Sequence, residues 1–201
     1  MPRATPRATP PPLEPTHATL REAAYAYLAR NAASEAQVAA LLKRKVGTWA
    51  RAAERAGADA HETALAAERA ASVIPAVVAE LFAAHVLDDA TFAASRARKL
   101  HAAGKSRRVI LMHLASKGVS SDLAHEAVPR DGSVELEAAV RLAKKRHLGP
   151  FARDETEPSR VARQKQMGAM ARAGFDPSTC ERVLGMTLEE AEGLLGGPRG
   201  W

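Results

Sequence analysis

The same spacing between helix-ending signals occurs twice in this chain of 201 residues. Gly118 is followed after ten residues by Val128, and Gly174 is followed after ten residues by Leu184. Glycine readily takes the left-handed backbone conformation that ends a helix, so each glycine predicts a stop followed by a short apolar helix. A helical unit that recurs with fixed spacing predicts a repeat protein, in which neighbouring units bury each other's apolar faces.

An earlier copy of the unit lies 72 residues before the central one. Three pairs of residues share this offset: Leu28 with Leu100, Ser34 with Ser106, and Leu42 with Leu114. Val46 stands where the central copy has Gly118, so the helix lacks its left-handed exit. We therefore expect this helix to continue to Gly57, and residues 47–72 to form a helical insertion broken near that glycine.

The residue types favour helices throughout. Alanine is abundant, aromatic residues make up only 4% of the chain, and β-branched runs are scarce. We predict an all-α fold of tandem three-helix repeats in an elongated, curved array. The expected divisions are a disordered Pro-rich tail (1–17), unit 1 with its insertion (18–87), unit 2 (88–130), unit 3 (133–186) and a frayed C-terminal tail (187–201).

The helical periodicity of apolar residues also predicts which side chains face the core. Leu81 and Phe82 should both be buried by the last helix of unit 1, and Val161 and Met170 by a helix of unit 3. His147, at the end of the first helix of unit 3, is also placed inward.

Several classes of function lack a sequence signal. The single cysteine, Cys180, excludes an intrachain disulfide and suits a reducing compartment, so we expect a cytoplasmic protein. No apolar run reaches the 18 residues that a membrane span needs. The histidines are scattered without metal-ligand spacing, and no phosphate-binding glycine loop is present, so we expect no cofactor, no metal and no enzymatic activity. Asp88 and Asp89 fit a helix N-terminus better than a catalytic carboxylate pair.

The strongest chemical signal is a basic segment without acids. Residues 96–117 contain seven cations and no Asp or Glu: Arg96, Arg98, Lys99, Lys105, Arg107, Arg108 and Lys117. Arg107 and Arg108 also fall in the first turn of a helix, where the helix dipole disfavours a cation by about 0.3–1 kcal/mol. A violated local preference often marks function, because phosphates or carboxylates of a partner can supply the missing counter-charge. The alternative is a solvated basic face whose repulsion is screened by salt.

A second basic run follows in unit 3. Arg141, Lys144 and Lys145 have the spacing that places them on one helical face, and no acid lies among them. The net charge of the chain is +6, which is compatible with nucleic acid or with an acidic protein surface. In a curved array the two runs would form one stripe. Side chains suited to reading base edges are few, so any contact with DNA should be to phosphates.

The order of the central motifs resembles the RecX family, bacterial regulators of the RecA recombinase. Residues 87–93 hold a Leu-Asp-Asp-x-x-aromatic-Ala block, residues 104–110 a basic segment, and residues 114–119 the Lys-Gly pair that closes the second helix. The resemblance covers about residues 18–186. His85 and Val46 depart from it, since each stands where the family has glycine.

The resemblance implies a helical protein that binds RecA filaments on DNA and lowers the ATPase and strand-exchange activities of RecA, with no activity of its own. On that basis the ten cations at 96, 98, 99, 105, 107, 108, 117, 141, 144 and 145 are the predicted partner-binding residues. We expect a monomer with at most weak nonspecific DNA contact, and reversing the charges of Arg107 and Arg108 should weaken RecA binding. Two alternatives remain: a protein that binds DNA nonspecifically by itself, and a helical adaptor for an acidic protein.

Overall fold

The computed structural model describes residues 12–128, 130–153 and 159–196, and every regular element in these ranges is helical. The elements are α1 (His17–Leu28), α2 (Glu35–Arg55), α3 (Ala60–Ser72), α4 (Ile74–Ala83), α5 (Asp89–Ala102), α6 (Arg107–Ser116), α7 (Ser121–Ala127), α8 (Gly132–Arg146), a short 3-10 helix (Gly149–Phe151), α9 (Arg160–Arg172), α10 (Pro177–Leu184) and α11 (Leu188–Gly196). The chain divides into two compact units, residues 1–89 and 90–201. The all-α prediction is confirmed.

The first unit builds its core from α1, α2, α3 and α4. Leu20, Leu42, Val77 and Leu81 are fully or almost fully buried there. Val46 is also buried, and α2 continues past it to Arg55 because valine offers no left-handed exit at the position where a glycine was missing. The helix stops before Gly57, which has a φ of 93°.

The N-terminal segment is ordered from Pro12, which corrects the expected disorder of residues 1–17 over its last part. Thr16 begins α1 with a capping box shared with Thr19. The indole nitrogen of Trp49 donates a hydrogen bond of 2.9 Å to the carbonyl of Pro12, and Glu14 pairs with Arg69 at 3.5 Å. These contacts attach the segment to α2 and α3. Residues 1–11 lie outside the described ranges.

The second unit contains two apolar clusters. The first involves α5, α6 and α7, with Ala93, Ala97, Ile110 and Leu114 at its centre. The second joins α8 to α9, α10 and α11, and it contains buried residues that include Met170, Phe175, Cys180 and Val183. Burial raises the pKa of the Cys180 thiol, so this residue packs as a small apolar side chain, as expected.

The glycine stops are confirmed. Gly118 and Gly174 have φ values of 77° and 90°, and each directly follows the C-cap residue of a helix. His85 takes the same left-handed conformation with a φ of 56°, so the helix exit keeps its geometry although glycine is replaced. α10 begins with an Asp-Pro pair: the Asp176 carboxylate caps the helix, and hydrogen bonds from Ser178 and Thr179 lower the pKa of Asp176 to about 2.

Three predictions of core residues are wrong. Phe82 is 55% exposed, because it is adjacent to the buried Leu81 and so points to a different side of α4. Val161 is 62% exposed, because it lies about two and a half turns before the buried Met170 and so on the opposite side of α9. His147 is exposed as well. It lies just past the end of α8 in the left-handed conformation, with a φ of 53°, so the helical periodicity no longer applies to it.

The frayed C-terminal tail expected from residue 187 is also wrong as far as residue 196. Thr187 and Glu190 form reciprocal hydrogen bonds at the start of α11, a capping box that outweighs the glycines further along. Ala191 is completely buried in the cluster that includes α8. Residues 197–201 lie outside the described ranges. None of the described helices is both long and apolar enough to cross a membrane.

Candidate partner-binding surface

Four of the predicted cations lie exposed along α5, α6 and the loop between them. Arg98 and Lys99 lie on α5, Lys105 lies in the loop, and Arg108 lies in the first turn of α6. None of the four forms a salt bridge within the described part of the chain. We call these residues the cationic face. Gly104 follows the end of α5 and Ser106 caps the start of α6, so the four cations lie within eleven residues of one repeat.

Arg107 has a structural role that the local sequence did not indicate. The carboxylate of Glu135, on α8, accepts a hydrogen bond of 2.8 Å from the backbone nitrogen of Arg107. The same carboxylate attracts the Arg107 guanidinium electrostatically. The Nε and Nη2 atoms of that guanidinium are buried and have no hydrogen-bond partner in the described structure. The dipole conflict predicted for Arg107 is therefore offset by an acid 28 positions away. Burial raises the pKa of Glu135, while the hydrogen bond from Arg107 opposes that shift.

A similar bond occurs in the first unit. The Asp89 carboxylate accepts a hydrogen bond of 2.8 Å from the backbone nitrogen of Glu35, at the first position of α2. Burial is the main cause that raises the pKa of Asp89. Asp89 therefore does more than begin its own helix. In both cases an acid from later in the chain satisfies an amide that a helix start leaves open.

Ser106 and Gly174 lie in close contact where the start of α6 packs against the end of α9. The Ser106 hydroxyl is fully buried, donates a hydrogen bond of 2.8 Å to the carbonyl of Ala173, and caps α6 by accepting from Val109. A Cβ atom on Gly174 would lie 2.5 Å from that hydroxyl oxygen. Gly104 makes a similar approach, since its Cβ would lie 3.0 Å from the backbone nitrogen of Leu142. Both glycines thus end a helix and also leave room for a neighbouring helix, Gly174 for side chains of α6 and its cap and Gly104 for the backbone of α8.

Arg96 is held by a histidine that the sequence analysis did not single out. Its Nε donates a hydrogen bond of 3.0 Å to Nε2 of His113, across from α5 to α6. Because Nε2 accepts this bond, the imidazole is neutral and carries its proton on Nδ1. Burial lowers the pKa of His113, and the positive charges of Arg96 and Lys117 lower it further. These three residues form a cluster that we call the Arg-His-Lys cluster.

The cations predicted on α8 differ in their availability. Arg141 forms an ion pair with Glu137 one turn earlier on the same helix. Lys144 lies 5.7 Å from the centre of the Phe151 ring, a cation–π arrangement, and it remains exposed, as does Lys145. Arg141 and Arg98 line one small cavity of about 230 Å³ between α5 and α8. The structure therefore brings part of the second basic run beside α5.

An open groove runs beside the start of α6, and no motif in the sequence predicted it. Its volume is about 620 Å³, and its lining contains charges of both signs as well as apolar side chains: Arg107, Arg108, Arg130, Asp131, Glu135, Asp176, Leu111 and Met112. Met112 is 63% exposed. An exposed thioether beside arginines gives this part of the surface apolar as well as ionic contacts to offer.

Comparison with known proteins identifies the type of fold and the family. A family model described as the second three-helix domain of RecX matches residues 88–128, which carry α5, α6 and α7. Two crystal structures of RecX proteins share the fold. The structure from Lactobacillus salivarius has a TM-score of 0.61 at 19% identity, covering 88% of this chain and 96% of that one. The other has a TM-score of 0.57 at 22% identity, covering 83% and 72%.

Two relatives extend the similarity to sequence, and both bear the name regulatory protein RecX. The protein from Agrobacterium fabrum is 36% identical over 109 residues, which is 54% of this chain and 57% of that protein. The protein from Myxococcus xanthus is 33% identical over 177 residues, which is 87% of this chain and 88% of that protein. Since this second match runs through most of both chains, the chain belongs to the RecX family of regulatory proteins.

Proposed function

We propose that this protein regulates homologous recombination by binding RecA filaments on DNA through the cationic face, and that binding lowers the ATPase and strand-exchange activities of RecA. Family membership supports a regulatory role, and the resemblance of the central motifs supports RecA as the partner. The observation that carries the choice of surface is the set of four exposed cations without intramolecular ion pairs.

The location of these cations favours binding to a large anionic partner. An isolated surface cation is commonly balanced by an acid one turn away, and such pairs contribute about 0.2–0.5 kcal/mol each. The cationic face lacks these pairs within the described chain. Its charges therefore raise the association rate with a polyanionic surface and stabilise the complex once bound.

The test uses Lys105→Glu with Arg108→Glu, assayed for inhibition of the DNA-dependent ATPase of RecA. Both side chains are exposed, whereas Arg107 is left intact because its backbone amide and its charge are engaged with Glu135. The double variant should need at least about tenfold more protein for half-inhibition, a difference of about 1.4 kcal/mol. Its helicity and unfolding temperature should match those of the wild type.

The matched control is Lys43→Glu with Lys45→Glu, which makes the same change of charge on exposed residues of α2. It should inhibit RecA as the wild type does. Equal loss in both double variants would attribute the effect to net charge, and unchanged inhibition by the Lys105 and Arg108 variant would refute the assigned surface. Tight, steeply salt-dependent binding to naked DNA, with no effect on RecA, would favour a DNA-binding protein instead.

A further inference from the structure

The Arg-His-Lys cluster places three basic side chains around one point on the second repeat. Arg96 comes from α5, His113 from α6, and Lys117 from the end of α6, one turn after His113. All three are partly exposed, so a ligand can reach them from solvent. The two charged groups that act on the imidazole from these elements, Arg96 and Lys117, are both cations.

The neutral histidine is the member of the cluster that can change state. In the present arrangement its Nε2 accepts the Nε–H of Arg96 at 3.0 Å. A proton added at Nε2 would leave two N–H groups facing each other and three positive charges together. That state requires an anion between the groups, toward which the guanidinium and the imidazolium can both donate.

We propose that Arg96, His113 and Lys117 bind a phosphodiester group of DNA, and that His113 takes up one proton from solvent when the phosphate binds. The inference rests on the proposed function, since the DNA in question is that of the RecA filament. No bond between heavy atoms changes: a proton from solvent adds to Nε2, and the Arg96 hydrogen bond passes from the imidazole to a phosphate oxygen. The site reads charge and has no means of selecting a base.

A phosphodiester fits the cluster better than a single side-chain carboxylate. A DNA strand presents its negative charges as a continuous row, so one phosphate can meet the Arg-His-Lys cluster while a neighbouring phosphate faces the exposed Lys99 that follows on α5. Arg98 and Lys99 lie two and three residues beyond Arg96. Residues three apart share one side of a helix and residues two apart do not, so the cluster continues into the cationic face through Lys99.

Proton uptake makes the affinity for DNA depend on pH in a defined direction. By linkage, a ligand that favours protonated His113 binds more tightly when protonation is easier, so affinity rises as pH falls. The full-length protein should bind a fluorescein-labelled single-stranded oligonucleotide at least about threefold more tightly at about pH 6 than at about pH 7.5, at constant ionic strength. Adding the oligonucleotide should also move the NMR titration of the His113 imidazole to higher pH.

Two variants separate His113 from the other histidines. His113→Gln keeps an acceptor for Arg96 but cannot titrate, so most of the threefold gain should vanish. His125→Gln, at an exposed position of α7 in the same repeat, should retain the gain. Equal pH dependence in the wild type and His113→Gln, an unchanged imidazole titration, or the absence of measurable oligonucleotide binding would each overturn the inference. Retained inhibition of RecA in any of these cases would leave the proposed function standing.

Discussion

Substitution of Gly174 by alanine offers a direct test of how the second unit is held together. The new Cβ would lie 2.5 Å from the Ser106 hydroxyl and 3.2 Å from a methyl of Val109. That hydroxyl cannot move without loss, because it bonds the carbonyl of Ala173 and caps α6. The alanine backbone would also be strained, since φ is 90° at this position and only glycine adopts that angle readily.

The expected loss of stability has two parts. Left-handed alanine costs about 1–2 kcal/mol, of which about 0.4–1 kcal/mol is offset because alanine restricts the unfolded chain. Displacing the Ser106 hydroxyl leaves a buried carbonyl without its donor and weakens a helix cap, which adds about 1–3 kcal/mol. We expect Gly174→Ala to lower the free energy of unfolding of the second unit by about 2–4 kcal/mol.

A double-mutant cycle isolates the contact. Ser106→Ala alone should be destabilising, but it removes the oxygen that the new Cβ meets, so the double variant should lose at least about 1 kcal/mol less than the sum of the singles. Gly57→Ala serves as the control for backbone strain, since its φ is 93° and nothing lies within 4 Å of its Cβ. Stability is measured by denaturant unfolding and, because the chain has two compact units, by hydrogen exchange of amides in each unit. Additive losses, or equal losses for Gly57 and Gly174, would refute the packing argument.

Two further predictions concern residues near the same surface. The folded-state pKa of Glu135 is raised above the ordinary value of 4.5, so the folded protein holds this proton to higher pH than the unfolded chain does. In urea unfolding from about pH 4 to pH 7, the free energy of unfolding of the wild type should therefore fall relative to that of Glu135→Gln, and a relative rise would contradict the sign. In thermal unfolding, His147→Gly should stabilise the second unit by up to about 1 kcal/mol, because glycine adopts the left-handed conformation without strain. His125→Gly, inside α7, should destabilise the unit by a similar amount, and changes of the same sign in both variants would refute the role of strain at His147.

Local signals in the sequence predicted the fold well. A glycine stop depends on one backbone angle, so Gly118 and Gly174 could be interpreted from their immediate neighbours. The equivalent serines Ser34 and Ser106 each cap a helix through an amide three residues away, which is also a local contact. The helical periodicity failed at Phe82, because a ten-residue helix with apolar residues on several faces cannot bury all of them.

The surface was harder to predict because its chemistry depends on partners distant in sequence. The acid that balances Arg107 is Glu135, and nothing in the spacing of the two residues indicates that their helices meet. The bond between Arg96 and His113 spans 17 positions and requires the angle between α5 and α6 to be known. The cations themselves were visible in the sequence, but their division into exposed and engaged groups was not. That division is what favours Lys105 and Arg108 over Arg107 for mutagenesis.

The bonds from Glu135 to Arg107 and from Asp89 to Glu35 bear on how such a chain can be rearranged in evolution or in the laboratory. In each, the first amide of a helix is satisfied by an acid encoded well downstream. A segment cut out at the repeat boundary would lose that acid and expose an unpaired helix start. Functional chimaeras between relatives should therefore place their crossovers after Asp89 or Glu135. Each transplanted segment would then carry the first turn of α5 or α8, and with it the acid that its own earlier helix needs.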